Sequence, residues 1–410
     1  MTQTQSSAEG VAAAFEERFG GPATYFVRAP GRVNLMGEHM DYNGLPVLPI
    51  ALQREVRMAF RSRSDGMVML YDLDEEFPPF EFEVGPAISR DTDGHWGNYV
   101  KGPANELARR FAIWRGFDGV LSSDIPVAAG LSSSSAIVNA VGLALAQVNE
   151  VPVEERAFAE FMADAERYTG TRGGAMDQAI SLGARAGFAS EITFTPLRLR
   201  HVSIPVDWSF VVADTGVRAE KSGAAQNTYN LRRRECEDAF SEIVEAVVRL
   251  NRVRMIPADY PALLRAMPAD DVLTLAEDVL HGNLLRRFRH VVSEAARVEK
   301  AVDHLRGADI SGFGALMDAS HGSLRTDFHV STSQLDELAA IAREGGASGA
   351  RLTGAGLGGC IVALADRTTV ESVTETLVAE YYQPRKLTMD LDARLFVAVA
   401  SPGASVGMLA

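Results

Sequence analysis

Up to about residue 90 the chain alternates apolar and polar positions in short runs such as ATYFVRAP, VRMAF and MVMLYDL. These runs are rich in β-branched and aromatic residues and are separated by turn formers, which predicts the strands of a sheet. The pattern then lengthens. Asn98 to Phe111 and Ser133 to Val148 are rich in Ala and Leu, and Val153 to Tyr168 mixes apolar and acidic positions, so three helices are expected to join the sheet. Strand character returns from His201 to Val212. From Ala224 long helical stretches run to a glycine cluster at Gly354, and LFVAVA, after LDARL, reads as a final strand. No internal repeat, low-complexity tract or Pro/Gly/Ser-rich linker marks a boundary. The change of element type places one near residue 205, giving units 1–205 and 206–410.

Composition narrows the function classes. At 410 residues, with 47% hydrophobic and 23% charged positions, the chain is long enough for two or three domains with substantial cores, and wholesale disorder is excluded. The formal net charge of −14 disfavours a nucleic-acid partner, because an acidic surface repels phosphate backbones. Two cysteines, Cys236 and Cys360, are too few for a disulfide framework or a four-thiolate zinc site and fit a reducing compartment. The start MTQTQSSAEG lacks the basic and apolar regions of a secretory signal, and no apolar run reaches the roughly 18 residues that span a bilayer. A soluble cytoplasmic protein without a membrane partner is the expectation.

Candidate chemistry collects in loops. Arg28 to Gly44 packs Arg32, Glu38, His39 and Asp41 among turn-forming glycines; carboxylates and an imidazole suit the hydroxyls of a polyol, and a charged surface turn is the alternative. Ile125 to Ala136 contains GLSSSSA and runs straight into an apolar helical segment. Small residues there leave backbone N–H groups open at a helix amino terminus, which favours a phosphate, and serine hydroxyls can ligate magnesium. The segment lacks the Lys of a P-loop and is not the dinucleotide glycine motif. Four consecutive serines exceed what a helix cap needs. A third loop, LTGAGLGGC (352–360), makes a tight turn that either faces a ligand or passes a neighbouring helix; Cys360 beside it, with no adjacent cation, reads as a small buried hydrophobe.

The acidic loop GGAMDQ (173–178) follows Glu166, with Asp177 eleven residues after that carboxylate. Singly, Asp177 reads as an N-cap or turn residue and Glu166 as a solvated helix carboxylate. Together with Arg32 and the serine loop they supply the parts of phosphoryl transfer: a triphosphate cradle, a metal ligand, a charge stabiliser and a candidate base.

Taken together, the loops resemble the GHMP kinase superfamily, and within it the galactokinase family. GRVNLMGEHMDY (31–42) resembles the galactokinase signature, with Met36 where isoleucine is usual. GLSSSSA resembles the superfamily ATP motif, with Ala128 and Ala129 in place of glycines, and GAGLGG (354–359) resembles the third motif. HWGNYVKG (95–102), NTYNLRRREC (227–236) and MDASHGSLR (317–325) extend the likeness over nearly the whole chain. The resemblance implies a two-domain α+β GHMP kinase fold, its first half like the second domain of ribosomal protein S5 and its second half ferredoxin-like, with ATP in the cleft between them. It also implies site residues: Gly130, Leu131, Ser132, Ser133, Ser134 and Ser135 for the triphosphate cradle, Trp96 near the adenine, and Ser134 with Glu166 for magnesium. Glu38, His39, Asp41, Gly174 and Tyr229 match sugar contacts, Asp177 matches the catalytic aspartate and Arg32 its partner arginine. The implied reaction is transfer of the γ-phosphoryl of ATP to the anomeric hydroxyl of galactose, giving an α-sugar 1-phosphate.

The segments at 130–136 and 166–177, and Leu45 where bacterial relatives usually carry a second glycine, look more like the N-acetylgalactosamine kinase and eukaryotic galactokinase branch, so that amino sugar is the alternative substrate. A catalytically silent regulator that binds ATP and sugar is a further alternative; the intact set Arg32, Ser134, Glu166 and Asp177 argues against it. Mevalonate and homoserine kinases would keep the phosphate loops but not the sugar signature.

Overall fold

A computed structural model describes residues 7–92, 94–218 and 223–409. Helix α1 (Ala8–Phe19) precedes strands β1 (Tyr25–Asn34), β2 (Pro49–Ser62), β3 (Met67–Asp72) and β4 (Phe80–Glu83). Helix α2 (Gly97–Phe111), strand β5 (Phe117–Ser123), helices α3 (Ser133–Val148), α4 (Glu155–Glu166) and α5 (Met176–Gly183), and a hairpin of β6 (Phe188–Phe194) and β7 (Leu197–Ser203) complete the first half. The second half opens with β8 (Trp208–Asp214). Helices α6 (Gly223–Arg249), α7 (Tyr260–Ala266), α8 (Ala269–Val279), α9 (Gly282–Arg306), α10 (Ile310–Ser323) and α11 (Ser333–Glu344) follow. Strands β9 (Gly349–Leu352) and β10 (Cys360–Asp366), helix α12 (Val370–Leu377), and strands β11 (Leu395–Ala398) and β12 (Ser405–Met408) end the chain.

The first sheet runs β12-β1-β2-β5-β3-β4, antiparallel except where β3 meets β5. Helix α3 is apolar on nearly every side, and Val138, Val141 and Leu145 are wholly buried against β1, β2 and α2. Such a helix stays put because exposing any face would return apolar surface to water. The second sheet runs β11-β8-β10-β9, antiparallel throughout. In chain order that is 4-1-3-2, with helices in the first and last crossovers, the ferredoxin-like arrangement expected for this half. No helix among the described residues is long and apolar enough to cross a membrane.

Several expectations change in detail. The amino-terminal stretch starts with helix α1, not a strand; Ser7 caps it and Gly20 ends it in the left-handed conformation. Pro103 lies inside α2, where its ring forfeits a helical hydrogen bond, and burial of Val100, Ala104 and Leu107 holds the helix together. The single strand expected from His201 to Val212 is two strands, β7 and β8, parted by the turn at Pro205 and assigned to different sheets. LFVAVA is not the last strand. The terminal β12 pairs with β1 from Tyr25↔Met408 to Arg28↔Ser405, so the chain's end returns to the first sheet and covers the open side of β1. Cys360 is buried as expected, and burial pushes its thiol well above the usual range.

Candidate active site

Three elements converge on one carboxylate. Arg32 lies on β1 just after an irregularity in its pairing with β2 and is almost wholly buried. Its Nε donates to Asp177 Oδ1 (2.8 Å) and its Nη2 to Asp177 Oδ2 (3.1 Å), the forked geometry that a guanidinium makes with a carboxylate. Nη1 donates to the carbonyl of Gly130 (2.6 Å), which ties the arginine to the serine loop. Burial works against the guanidinium's charge, yet Asp177 and then Glu38 outweigh it and raise its pKa. Asp177 sits in the first turn of α5, which buries Ala179, Ile180 and Leu182 behind it.

Ser132 explains the loop's unusual start. It adopts a left-handed backbone (φ 61°) and does not cap α3; its hydroxyl donates to Asp177 Oδ2 instead. Gly130 and Gly354 also have positive φ (76° and 82°), and a Cβ on Gly354 would come within 2.6 Å of the Gly130 carbonyl. Only glycine allows the two loops to meet so closely. The third glycine loop therefore buttresses the serine loop.

On one side of Asp177 lies a cavity of about 60 Å³ lined by Arg32, Glu38, His39, Asp41, Glu166, Gly174 and Tyr229, among others. Asp41 accepts from its neighbour's amide at Tyr42 (2.8 Å). Burial, then the charge of Asp177, pushes its carboxyl up to about 6. Gly174 has no room for a side chain, because a Cβ would stand 2.2 Å from Asp41 Oδ2. His39 Nδ1 lies 3.0 Å from the Tyr42 hydroxyl, and its ring packs on Phe328 and Tyr229. Burial pulls its pKa down to about 3, so it is neutral at physiological pH. Glu38 accepts from the amide of Gly354 (2.8 Å) with Arg351 3.6 Å away. Its pKa is raised by burial, which Arg351 and Arg32 oppose.

Beyond Gly130 and Ser132 a larger cavity of about 330 Å³ is lined by Asp72, Phe77, Trp96, Tyr99, Ser133, Ser134 and Ile137, among others. Trp96 sits edge-on to Phe77, with ring centroids 6.0 Å apart. The two cavities share Gly130, Ser132 and Ala355 as a common wall. Glu166 stands beside that wall at the end of α4. Ser134 Oγ donates to its Oε1 (2.9 Å), Ser135 Oγ to its Oε2 (2.6 Å), and Gln178 Nε2 also donates to Oε2. Among the described residues no cluster of three His, Cys, Asp or Glu side chains could hold a metal ion.

The structure thus gathers Arg32, Glu38, His39, Asp41, Glu166, Gly174, Asp177 and Tyr229 at one cavity and Trp96, Ser133 and Ser134 at its neighbour, with Gly130 and Ser132 at both. Two cradle positions fall outside. Leu131 buries its side chain and contributes a carbonyl that accepts from Arg32 N (3.0 Å), and the buried Ser135 lines neither cavity. Leu45 is core and lines neither cavity. Sequence reasoning missed Arg351, Gln178 and Phe328. Arg351 had one available signal, its place two residues before the third glycine loop.

Residues 98–184 match the GHMP kinases N terminal domain and residues 299–383 the GHMP kinases C terminal. Residues 13–62 match the galactokinase galactose-binding signature. A galactokinase from Chloroflexus aurantiacus is 37% identical over 90% of this chain and 91% of its own length, and one from Chloroflexus aggregans is 38% identical over the same shares. The chain belongs to the galactokinase family. The crystal structure of Lactococcus lactis galactokinase complexed with galactose superposes with a TM-score of 0.83 at 28% identity, covering 96% of this chain and 98% of that one. Methanococcus jannaschii mevalonate kinase, 17% identical with a TM-score of 0.59 over 92% of this chain and 98% of its own, shares the fold.

Proposed function

We propose that this protein is an ATP-dependent sugar 1-kinase that transfers the γ-phosphoryl of ATP to the anomeric hydroxyl of galactose and releases α-galactose 1-phosphate. The observation that carries this reading is the Asp177 carboxylate, held by Arg32 and Ser132 at the wall shared by a small polar cavity and a larger one with aromatic lining. A monosaccharide suits the former and a nucleotide the latter. The two cavities lie between proposed units 1–205 and 206–410, with β12 exchanged into the first. A cytoplasmic location is proposed from two cysteines that are both buried and unpaired.

A sugar hydroxyl is a weak nucleophile at neutral pH, and Asp177 is the group placed to take its proton as the new P–O bond forms. Arg32 orients that carboxylate through its forked pair of hydrogen bonds, and its charge also faces the wall where the phosphoryl group would pass. Glu38 and Asp41 accept hydrogen bonds from ring hydroxyls, neutral His39 can donate or accept, and Tyr229 closes the cavity with an aromatic face. Trp96 offers its face to a purine, and the amides at the start of α3, where Ser133 and Ser134 line the larger cavity, receive phosphates. Ser134 and Glu166, hard oxygen donors 2.9 Å apart beside the wall, fit a magnesium site that would draw its remaining ligands from ATP and water. Magnesium there would neutralise phosphate charge.

The test is kcat/KM for galactose, N-acetylgalactosamine, glucose and mevalonate with the purified protein. Galactose should lead, with glucose strongly disfavoured because inversion at C4 leaves a buried acceptor unpaired. Equal use of glucose, a lead for mevalonate or no turnover with any sugar would overturn the reading.

A further inference from the structure

Glu38 lies in the first half of the chain, but several of the groups that hold it come from the second. Its backbone is gripped on both sides. The amide of Gly37 donates to Glu294 Oε1 (3.0 Å), and His290 Nε2 lies 3.2 Å from the Glu38 carbonyl, which fixes the proton on that nitrogen. Its carboxylate meets the Gly354 amide and the guanidinium of Arg351, both at Oε1. Arg351 is wholly buried, and its Nη1 donates to the carbonyl of Asn34 (3.0 Å), four residues before Glu38. Thr353 adds a second tie, its Oγ1 accepting from Asn34 N (3.1 Å).

These groups are themselves braced by α10, within the segment MDASHGSLR, which neither cavity uses. Asp318 Oδ1 accepts from Ala350 N (2.9 Å) and His321 Nδ1 from Leu352 N (3.2 Å), so two side chains three apart on a helix satisfy amides two apart on the edge strand β9. That seats Arg351 between them. Ser320 Oγ donates to Glu294 Oε1 (2.7 Å), Arg297 Nε to Glu294 Oε2 (2.6 Å), and the Ser323 hydroxyl meets His290 Nδ1 (2.9 Å). Glu294 is fully buried, and with these donors plus Gly37 its charge is well satisfied.

We propose that Glu294 and Arg351 are positioning residues for sugar recognition: they set the backbone and carboxylate of Glu38 from the second half of the chain and touch neither cavity themselves. The proposal rests on the assignment of Glu38 as a sugar contact. Loss of either residue should loosen the sugar cavity while leaving the nucleotide cavity, whose lining contains none of these groups, as it was.

The test uses the full chain with Arg351→Met, Arg351→Lys, Glu294→Leu, Glu294→Gln and Glu38→Gln, reading kcat, separate KM values for galactose and ATP, and galactose binding by calorimetry without nucleotide. Arg351→Met and Glu294→Leu should raise the KM and Kd for galactose roughly tenfold with ATP within about twofold. Glu294→Gln should restore most of the affinity, because its amide oxygen still accepts from Gly37. Arg351→Lys keeps the buried charge but offers one nitrogen where Arg351 uses two, Nη1 on the Asn34 carbonyl and Nη2 facing Glu38; it should weaken galactose about threefold and decides the matter if the larger changes do not fold. Parallel rises in both KM values, unchanged galactose binding in Arg351→Lys, or Glu294→Gln as damaged as Glu294→Leu would overturn the proposal. Intact galactose binding in Glu38→Gln would instead remove Glu38 from the sugar site, and this proposal with it; weakened binding there combined with unaffected Arg351 and Glu294 variants sinks only the positioning role.

Discussion

Gly174→Ala is the most discriminating small change that the site allows. The residue's backbone lies outside the left-handed region, so alanine is conformationally acceptable and any effect comes from the added methyl. That methyl would stand 2.2 Å from Asp41 Oδ2, 2.3 Å from Cγ and 2.7 Å from Cβ. Rotating the carboxylate relieves the first two contacts but not the third, since Cβ is fixed to the backbone. Restoring ordinary contact there asks the two loops to part by about 0.7 Å. Overpacking of this kind costs roughly 1–3 kcal/mol, and if it falls on the bound sugar it lowers affinity about five- to more than a hundredfold. A coupled ATP-consumption assay, with galactose and ATP varied in turn, reads the two affinities apart. The galactose KM should rise by at least about fivefold while the ATP KM stays within about twofold. A galactose KM within twofold of the parent would show that the loops yield freely and that Gly174 is not needed against Asp41.

The remaining predictions concern individual carboxylates. Asp177→Asn keeps the size but cannot take a proton, and should lower kcat about 10²–10⁴-fold with both ligands still bound; near-normal turnover would leave positioning by Arg32 as the explanation. Because Asp41 titrates near 6 in the fold, it gains a proton as pH falls through that value and ceases to be a charged acceptor, so kcat/KM for galactose should fall on the acid side with a midpoint near there. The folded value lies above the ordinary 3.8, so the ionised group burdens the fold increasingly from about pH 4 and fully above about 6. Asp41→Asn should accordingly raise Tm more at pH 8 than at pH 5 while weakening galactose at both, and a Tm gain that is larger at pH 5 contradicts the sign. Activity should vanish on chelation of divalent cations, and Glu166→Gln should shift the magnesium titration to higher concentration; an unchanged titration would make Glu166 only an anchor for Ser134, Ser135 and Gln178.

The local chemistry of this protein is legible in its residues alone. The apolar run from Ser133 to Val148 becomes a helix over those residues, because a helix buried all round needs no partner-specific pattern. Asp177, Arg32, Glu38 and Asp41 could be singled out since unusual densities of carboxylate, arginine and glycine in loops are local facts. What the tertiary structure decided is where each side chain points and what meets it from far along the chain. Ser132 looks like a helix cap and is one of the groups holding Asp177, because a left-handed backbone turns its hydroxyl away from α3. Leu131 and Ser135 belong to the same motif yet face the core and Glu166. Strand β12 carries too weak an alternation to be read as a strand and forms because β1 offers it an open edge. Arg351 falls in a stretch that reads as helical, yet it lies on strand β9 and becomes the partner of Glu38 because that carboxylate reaches the loop at Gly354 across 316 positions of sequence. Periodicity reports which face of an element is apolar; it carries no information about which distant charge that face will meet, and a buried ion pair is decided only when packing removes water from both partners.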